Sequence, residues 1–214
     1  MILSHGRKYI FVHVPKTGGT SLALALESRA MKEDVMLGDT PKASKRRNRL
    51  KDLGTRGRLW KHSTLADIDG LISPDEIAQM FCFTMVRNPW DRMVSYYHWL
   101  QGQSFDHEVV GLAKTLGFGE FLNTPQVSAG MQQIPYRYYM TDATGVERAA
   151  LYIRLEHFEQ DAEPLWEHLG FRLDLPHENA SDRARDYRTY YGESESRRVA
   201  ELCREDIERF GYSF

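Results

Sequence analysis

Two adjacent glycines with hydroxyl and cationic neighbours form the first stretch whose residue types could do chemistry. The stretch reads Pro15-Lys16-Thr17-Gly18-Gly19-Thr20-Ser21. Glycines let the backbone approach a ligand closely, and a helix that begins in such a loop directs N–H groups and the positive end of its dipole at one point. Lys16 adds a positive charge, and the threonines and Ser21 add hydroxyl groups. The stretch therefore predicts a binding site for a phosphate or a sulfate group.

The residues on either side of this loop are those of a strand before it and a helix after it. Apolar residues from Tyr9 to Val12 are typical of a buried strand, and the leucines and alanines between 21 and 27 are strong helix formers. The loop is not a Gly-x-x-x-x-Gly-Lys-Ser/Thr loop of nucleotide triphosphatases, because Lys16 precedes the glycines. A glycine-rich turn without a ligand is the alternative interpretation of the loop taken alone.

A second strand-to-helix junction carries a cation. Apolar residues 81 to 86 predict a central parallel strand, and Arg87 follows it. Asn88 and Pro89 then mark the start of a helix. Nucleotide triphosphatases often place a magnesium-binding aspartate at such a strand end, so Arg87 favours a second anion site over a metal site. Ser95 lies two helical turns beyond Asn88, on the face where the helix starts. A surface ion pair for Arg87 and a backbone hydrogen bond for Ser95 are the alternatives.

Together, the two segments resemble the 5′-phosphosulfate loop and the 3′-phosphate segment of sulfotransferases that use 3′-phosphoadenylyl sulfate (PAPS), in the branch that acts mainly on carbohydrates. The resemblance implies an α/β fold with three layers, α/β/α, around a central parallel sheet, similar to the P-loop fold. It also implies in-line transfer of the sulfo group from PAPS to an acceptor hydroxyl on a carbohydrate or glycolipid, without a metal. The residues that it assigns to donor binding are Lys16, Thr17, Gly18, Gly19, Thr20 and Ser21 for the 5′ end, and Arg87 and Ser95 for the 3′-phosphate.

Two residues are the candidates for catalysis. A cation at the bridging oxygen stabilises the charge that develops as the diphosphate leaves, and Lys16 is placed for that role. His62 is the candidate general base, since imidazole titrates near neutral pH and the Lys-His-Ser-Thr setting resembles the base segment of the family. We expect His62 to follow a strand that begins at Leu59. A structural histidine is the alternative, His98 is the second candidate for the base, and we expect His13 to be a packed core residue.

Composition bounds the class of protein. The chain has 214 residues, a net charge of −2 and 42% hydrophobic residues, which fits a single sulfotransferase domain over 1–214. This charge gives no general attraction to nucleic acid, and we find no signal peptide or membrane-spanning run. Two cysteines without a disulfide framework lead us to expect a cytoplasmic protein. Nothing in the sequence indicates an oligomeric state.

Several features leave alternatives open. The basic run from Lys42 to Lys61 is either a solvated surface or a rim that attracts an anionic acceptor or the donor phosphates. The loop from 175 to 181 resembles the late segment of the family that folds over the nucleotide. We further expect a strand at 150–154, a helix at 156–169 that is interrupted or restarts at Pro164, and a last helix at 195–209. The competing functions are a small-molecule kinase that uses ATP and Mg²⁺, and a nucleotide-binding module without catalysis.

Overall fold

A five-stranded mixed sheet carries the fold. In the computed structural model its strands are β1 (Ile2–Ser4), β2 (Tyr9–Val12), β3 (Val35–Met36), β4 (Phe81–Val86) and β5 (Ala149–Arg154). Their order is β3-β1-β2-β4-β5, with β2, β4 and β5 parallel and β1 antiparallel to both of its neighbours. The predicted α/β class and the parallel strands are confirmed. The sheet differs from a wholly parallel one through the short strands β1 and β3.

The structure describes residues 1–50, 54–175 and 183–214. These residues form two compact units. The sheet unit comprises Met1–Val86 and Tyr136–Glu178, and the helical unit comprises Arg87–Pro135 and Asn179–Phe214. The helices are α1 (Gly19–Ser28), α2 (Pro41–Arg46), α3 (Pro74–Ile77), α4 (Pro89–Gln101), α5 (Glu108–Thr115), α6 (Phe118–Leu122), α7 (Pro125–Gln133), α8 (Tyr136–Tyr139), α9 (Phe158–Asp161), α10 (Glu163–Leu169), α11 (Glu193–Leu202) and α12 (Arg204–Phe210). Short 3₁₀ helices cover Arg47–Leu50, Leu155–His157 and Tyr187–Tyr190.

The core of the sheet unit fixes where the glycine loop lies. Because side chains alternate along a strand, Phe11 and its parallel partner Phe83 point to the same face of the sheet. There they pack in one cluster with Leu22 and Leu26 of α1 and with Trp166 of α10. The chain therefore leaves β2, turns through the loop and returns as a helix that covers the sheet, so that the loop lies at the carboxyl end of a parallel strand.

The helical unit has its own core around α4. Val94 and Tyr97 on the buried side of α4 pack with Phe121 of α6 and Val199 of α11. The Asn88 side chain accepts a hydrogen bond from the Trp90 N–H at 3.1 Å, which confirms the predicted cap of this helix. A capping box formed by Ser73 and Glu76 begins α3.

Two predictions about secondary structure are wrong or incomplete, and a third concerns residues outside the described ones. Residues 59–62 form a turn, not a strand, because the Ser63 hydroxyl accepts from the Trp60 N–H at 2.9 Å and donates to the Arg58 carbonyl at 3.0 Å. The predicted last helix is two helices that meet at Cys203. Residues 176–181 of the predicted late segment lie outside the described residues. No helix within the described residues is both long and apolar enough to cross a membrane.

Candidate active site

The glycine loop between β2 and α1 has a constrained backbone. Gly18 has a φ of 82°, and a Cβ atom added there would lie 2.8 Å from Cδ1 of Leu155, so the position requires glycine. Lys16 has a φ of 66°, in the left-handed region that costs a non-glycine residue about 1–2 kcal/mol. Strain of this kind is concentrated at functional sites. The loop thus holds its lysine in one unusual backbone conformation.

Hydrogen bonds within the loop brace it and leave the start of α1 uncapped. The buried Thr17 hydroxyl donates to the Val14 carbonyl at 2.9 Å, and the Ser21 N–H donates to the Gly18 carbonyl at 3.2 Å. The Thr17 side chain therefore supports the loop, and what it offers an anion is its backbone N–H. No side-chain hydrogen bond caps the N-terminus of α1 in the described part of the chain. The N–H groups of Gly19 and Thr20, at the first two positions of α1, have no hydrogen-bond partner within the helix, which suits a bound anion.

His62 lies in the turn after α2 with its tautomer set by the backbone. Its Nδ1 is 2.6 Å from the carbonyl oxygen of His13. A carbonyl can only accept, so Nδ1 carries the proton and Nε2 of the neutral ring carries the lone pair. Burial, and to a smaller extent the charge of Lys61, lower the pKa of His62 to about 4. The ring is therefore neutral near pH 7 and is in the tautomer that a general base needs at Nε2.

His13 joins this histidine to the glycine loop. Its ring is 4.8 Å from the His62 ring between centroids, and a Cβ atom added to Gly19 would lie 2.5 Å from its Cδ2. His13 is only 7% exposed, as expected, and burial holds its pKa well below the ordinary value. It follows the last residue of β2 instead of lying inside the strand. The sequence predicts a packed core residue at this position and gives no sign of its contacts with His62 and Gly19.

In the helical unit, Arg87 belongs to a cluster of two guanidinium groups around one carboxylate. Its Nε and Nη2 donate to Oδ2 of Asp91 at 2.9 and 2.7 Å, and Arg183 Nη2 donates to Oδ1 at 2.6 Å. The exposed fractions of these side chains are 13%, 17% and 9%, so water screens the group little. The guanidinium groups of Arg87 and Arg183 thus share one carboxylate. Sequence reading missed Arg183 as a partner of Asp91, since 92 positions separate them.

Ser95 lies further along α4, buried at 6% exposure. Within residues 1–50, 54–175 and 183–214, no hydrogen bond to its hydroxyl is present, so the alternative of a backbone bond is not realised. His98, the second candidate for the base, lies in the last turn of α4 against the ring of Tyr190. Burial, followed by the charge of Arg183, lowers its pKa.

The predicted site residues thus fall into two groups. Lys16, the loop to Ser21 and His62 belong to the sheet unit, whereas Arg87, Ser95 and His98 belong to the helical unit. Among the described residues, no group of three or more histidine, cysteine, aspartate or glutamate side chains could hold a metal ion.

Comparison with known proteins identifies the fold and the family. The chain is similar to the crystal structure of mouse sulfotransferase SULT7A1 complexed with PAP, at 18% sequence identity and a TM-score of 0.50. The match covers 96% of this chain and 85% of that one, and it supports an α/β sulfotransferase fold. No curated protein matches the chain. A family model described as "Sulfotransferase family" matches residues 1–213, which confirms the predicted resemblance. The chain belongs to the sulfotransferase family.

Proposed function

We propose that this sulfotransferase moves the sulfo group of PAPS to an acceptor hydroxyl by in-line transfer, with His62 as the general base. The observation that carries the proposal is the state of His62. Its Nδ1–H is held by the His13 carbonyl at 2.6 Å, and the ring of the same His13 packs on Gly19 at the start of α1. Sulfo transfer requires a base that removes the proton of the acceptor hydroxyl. A neutral imidazole next to an anion loop, with its lone pair on Nε2, meets this requirement.

The glycine loop supplies the donor side of the reaction. As the sulfo group leaves, negative charge develops on the oxygen that bridged it to the 5′-phosphate, and a cation fixed at that oxygen lowers the barrier. Lys16 is our candidate for this cation. Its backbone, at φ 66°, fixes the position of its Cβ atom and so the point from which the side chain extends. The backbone N–H groups from Thr17 to Ser21 bind the 5′-phosphate.

Arg87 and Ser95 bind the 3′-phosphate in this proposal. Asp91 holds the Arg87 guanidinium through two hydrogen bonds, so the cation is oriented before the ligand arrives. Ser95 is only 6% exposed, and its hydroxyl has no hydrogen-bond partner among the described residues, which leaves it for a ligand oxygen. A site for the 3′-phosphate distinguishes PAPS from an ordinary adenylate. No metal takes part, and the whole of residues 1–214 acts as one sulfotransferase domain.

We propose a saccharide or glycolipid hydroxyl as the acceptor, with an acidic group nearby. The support comes from the basic segment that includes α2. Arg46 donates to the carbonyls of Met31 and Asp34, and Arg49 donates to that of Lys32. Backbone carbonyls order these guanidinium groups without neutralising them, so the segment keeps its positive charge at the surface. An anionic sugar would be attracted to it.

A transfer assay tests this function. Labelled PAPS is incubated with a panel of neutral and acidic saccharides, and with ATP and Mg²⁺ in place of PAPS as the control for a kinase. We expect sulfo transfer and no phosphoryl transfer. His62→Gln should lower kcat at least ~100-fold, the range for loss of a general base, and change the KM for PAPS little. His168→Gln is the matched control with wild-type turnover, because His168 packs on Phe81 and meets the Arg7 carbonyl, to which no part in the site is assigned. Unchanged turnover of His62→Gln would remove His62 as the base.

A further inference from the structure

We infer that His13 is a further donor-binding residue, whose neutral imidazole hydrogen-bonds the 5′-phosphate at the N-terminus of α1. The inference rests on the proposed function, since it concerns the same donor. It adds a side-chain contact in the glycine loop that the loop motif itself does not contain.

The first observation is a buried polar ring without a hydrogen-bond partner. His13 is 7% exposed and stacks on Phe11, with 5.8 Å between ring centroids and 23° between planes. Its other ring neighbour is His62, which meets it edge-on. Within the described residues, no hydrogen bond to either ring nitrogen of His13 is present. Neither ring nitrogen is among the fully buried atoms that lack a partner, so the nitrogens can be reached from outside and are left for a ligand.

The second observation is the direction in which the ring lies. A Cβ atom added to Gly19 would be 2.5 Å from Cδ2 and 2.8 Å from Nε2 of His13. The Cδ2–Nε2 edge therefore faces the first residue of α1, a helix of 10 residues that no side chain caps. An anion bound at this N-terminus would accept hydrogen bonds from the N–H groups of Gly19 and Thr20 and from Nε2 of His13.

The charge state of the ring fits this role. Burial holds the pKa of His13 well below its usual value, and His62, Lys61 and Lys16 act in the same direction. His13 is therefore neutral at pH 7 and donates one N–H, while Lys16 supplies the charge. The carbonyl of His13 also orients His62, so one residue contacts the donor through its ring and positions the base through its backbone.

Binding of two nucleotides to matched variants tests the inference. His13→Phe keeps a flat ring of similar size but has no N–H, and His13→Gln restores a donor. Calorimetry gives the affinities for adenosine 3′,5′-diphosphate (PAP) and for adenosine 3′-monophosphate, which lacks the 5′-phosphate. We expect His13→Phe to weaken PAP binding about 10- to 100-fold, as for loss of a hydrogen bond to a charged group, and His13→Gln to recover part of it. Affinity for the 3′-monophosphate should stay within about 2-fold.

Gly19→Ala provides a second test that leaves the histidine in the chain. Alanine suits a helix, but its methyl group would push the His13 ring away. Gly19→Ala should therefore weaken PAP binding in the wild-type protein and have no further effect once His13→Ala has made room.

Three outcomes would overturn the inference. Wild-type affinity of His13→Phe for PAP is one, and equal losses for PAP and the 3′-monophosphate, which would show a structural role only, are another. Additive effects of Gly19→Ala and His13→Ala are the third. A wild-type protein that binds PAP no more tightly than the 3′-monophosphate would instead refute the proposed donor, and this inference with it.

Discussion

Replacement of His62 by glutamine should make the protein less sensitive to acid. In the folded protein the pKa of His62 is about 4, against 6.5 for the free side chain. Between these values the unfolded chain binds a proton that the folded protein does not, so the free energy of unfolding falls as the pH drops through 6.5 towards 4. The full shift corresponds to about 3 kcal/mol, of which about 2 kcal/mol is already lost at pH 5. His62→Gln removes this contribution and can keep the hydrogen bond to the His13 carbonyl.

Urea unfolding at pH 7.5 and at pH 5 measures the effect. On acidification the wild-type protein should lose about 2 kcal/mol more than His62→Gln, while the two proteins differ little at pH 7.5. Burial, and to a smaller extent neighbouring charges that include His62, also hold the pKa of His13 below its usual value, so the difference between the two proteins reports His62 together with its coupling to His13. An identical loss in both proteins would refute the reasoning. So would a nuclear magnetic resonance titration that places the pKa of His62 near 6.5.

The remaining predictions concern the two groups of site residues. Lys16→Gly removes both the cation and the strain of a left-handed backbone at a non-glycine residue. The free energy of unfolding should therefore rise, or fall by less than about 1 kcal/mol, while kcat falls at least ~100-fold. A large loss of stability in urea would contradict this. Arg87→Lys removes a guanidinium that can donate two hydrogen bonds to one phosphate. Calorimetry should show about 10-fold weaker binding of PAP and an unchanged affinity for adenosine 5′-monophosphate. Ser95→Ala should reproduce the same selectivity with a smaller loss, and equal losses for both nucleotides would exclude a 3′-phosphate role for either residue.

The elements that carry the site could be predicted because their signals are local. The apolar runs of β2 and β4, the glycine turn at Gly18 and the Asn88 cap each depend on a few adjacent residues. The predicted strand that ends at His62 is absent for an equally local reason, which the residue types alone do not reveal. The Ser63 hydroxyl satisfies the backbone on both sides and so competes with strand pairing.

Contacts between distant residues could not be predicted. The Asp91 carboxylate holds Arg87 and the distant Arg183, and no local pattern indicates the second of these contacts. The contact between His13 and His62 joins residues 49 positions apart, and only the folded backbone brings them together. The strands β1 and β3 are too short for their periodicity to be read. The break between α11 and α12 at Cys203 carries no glycine or proline to mark it.

The choice of nucleotide tests the account most directly. The melting temperature is measured with PAP, adenosine 5′-monophosphate and ATP at equal concentrations, each with and without Mg²⁺. A protein that binds both phosphates of the PAPS donor should be stabilised by PAP far more than by the other two nucleotides, with no effect of the metal. Equal shifts for the three nucleotides, or a larger shift with ATP and Mg²⁺, would contradict the proposal that PAPS is the donor.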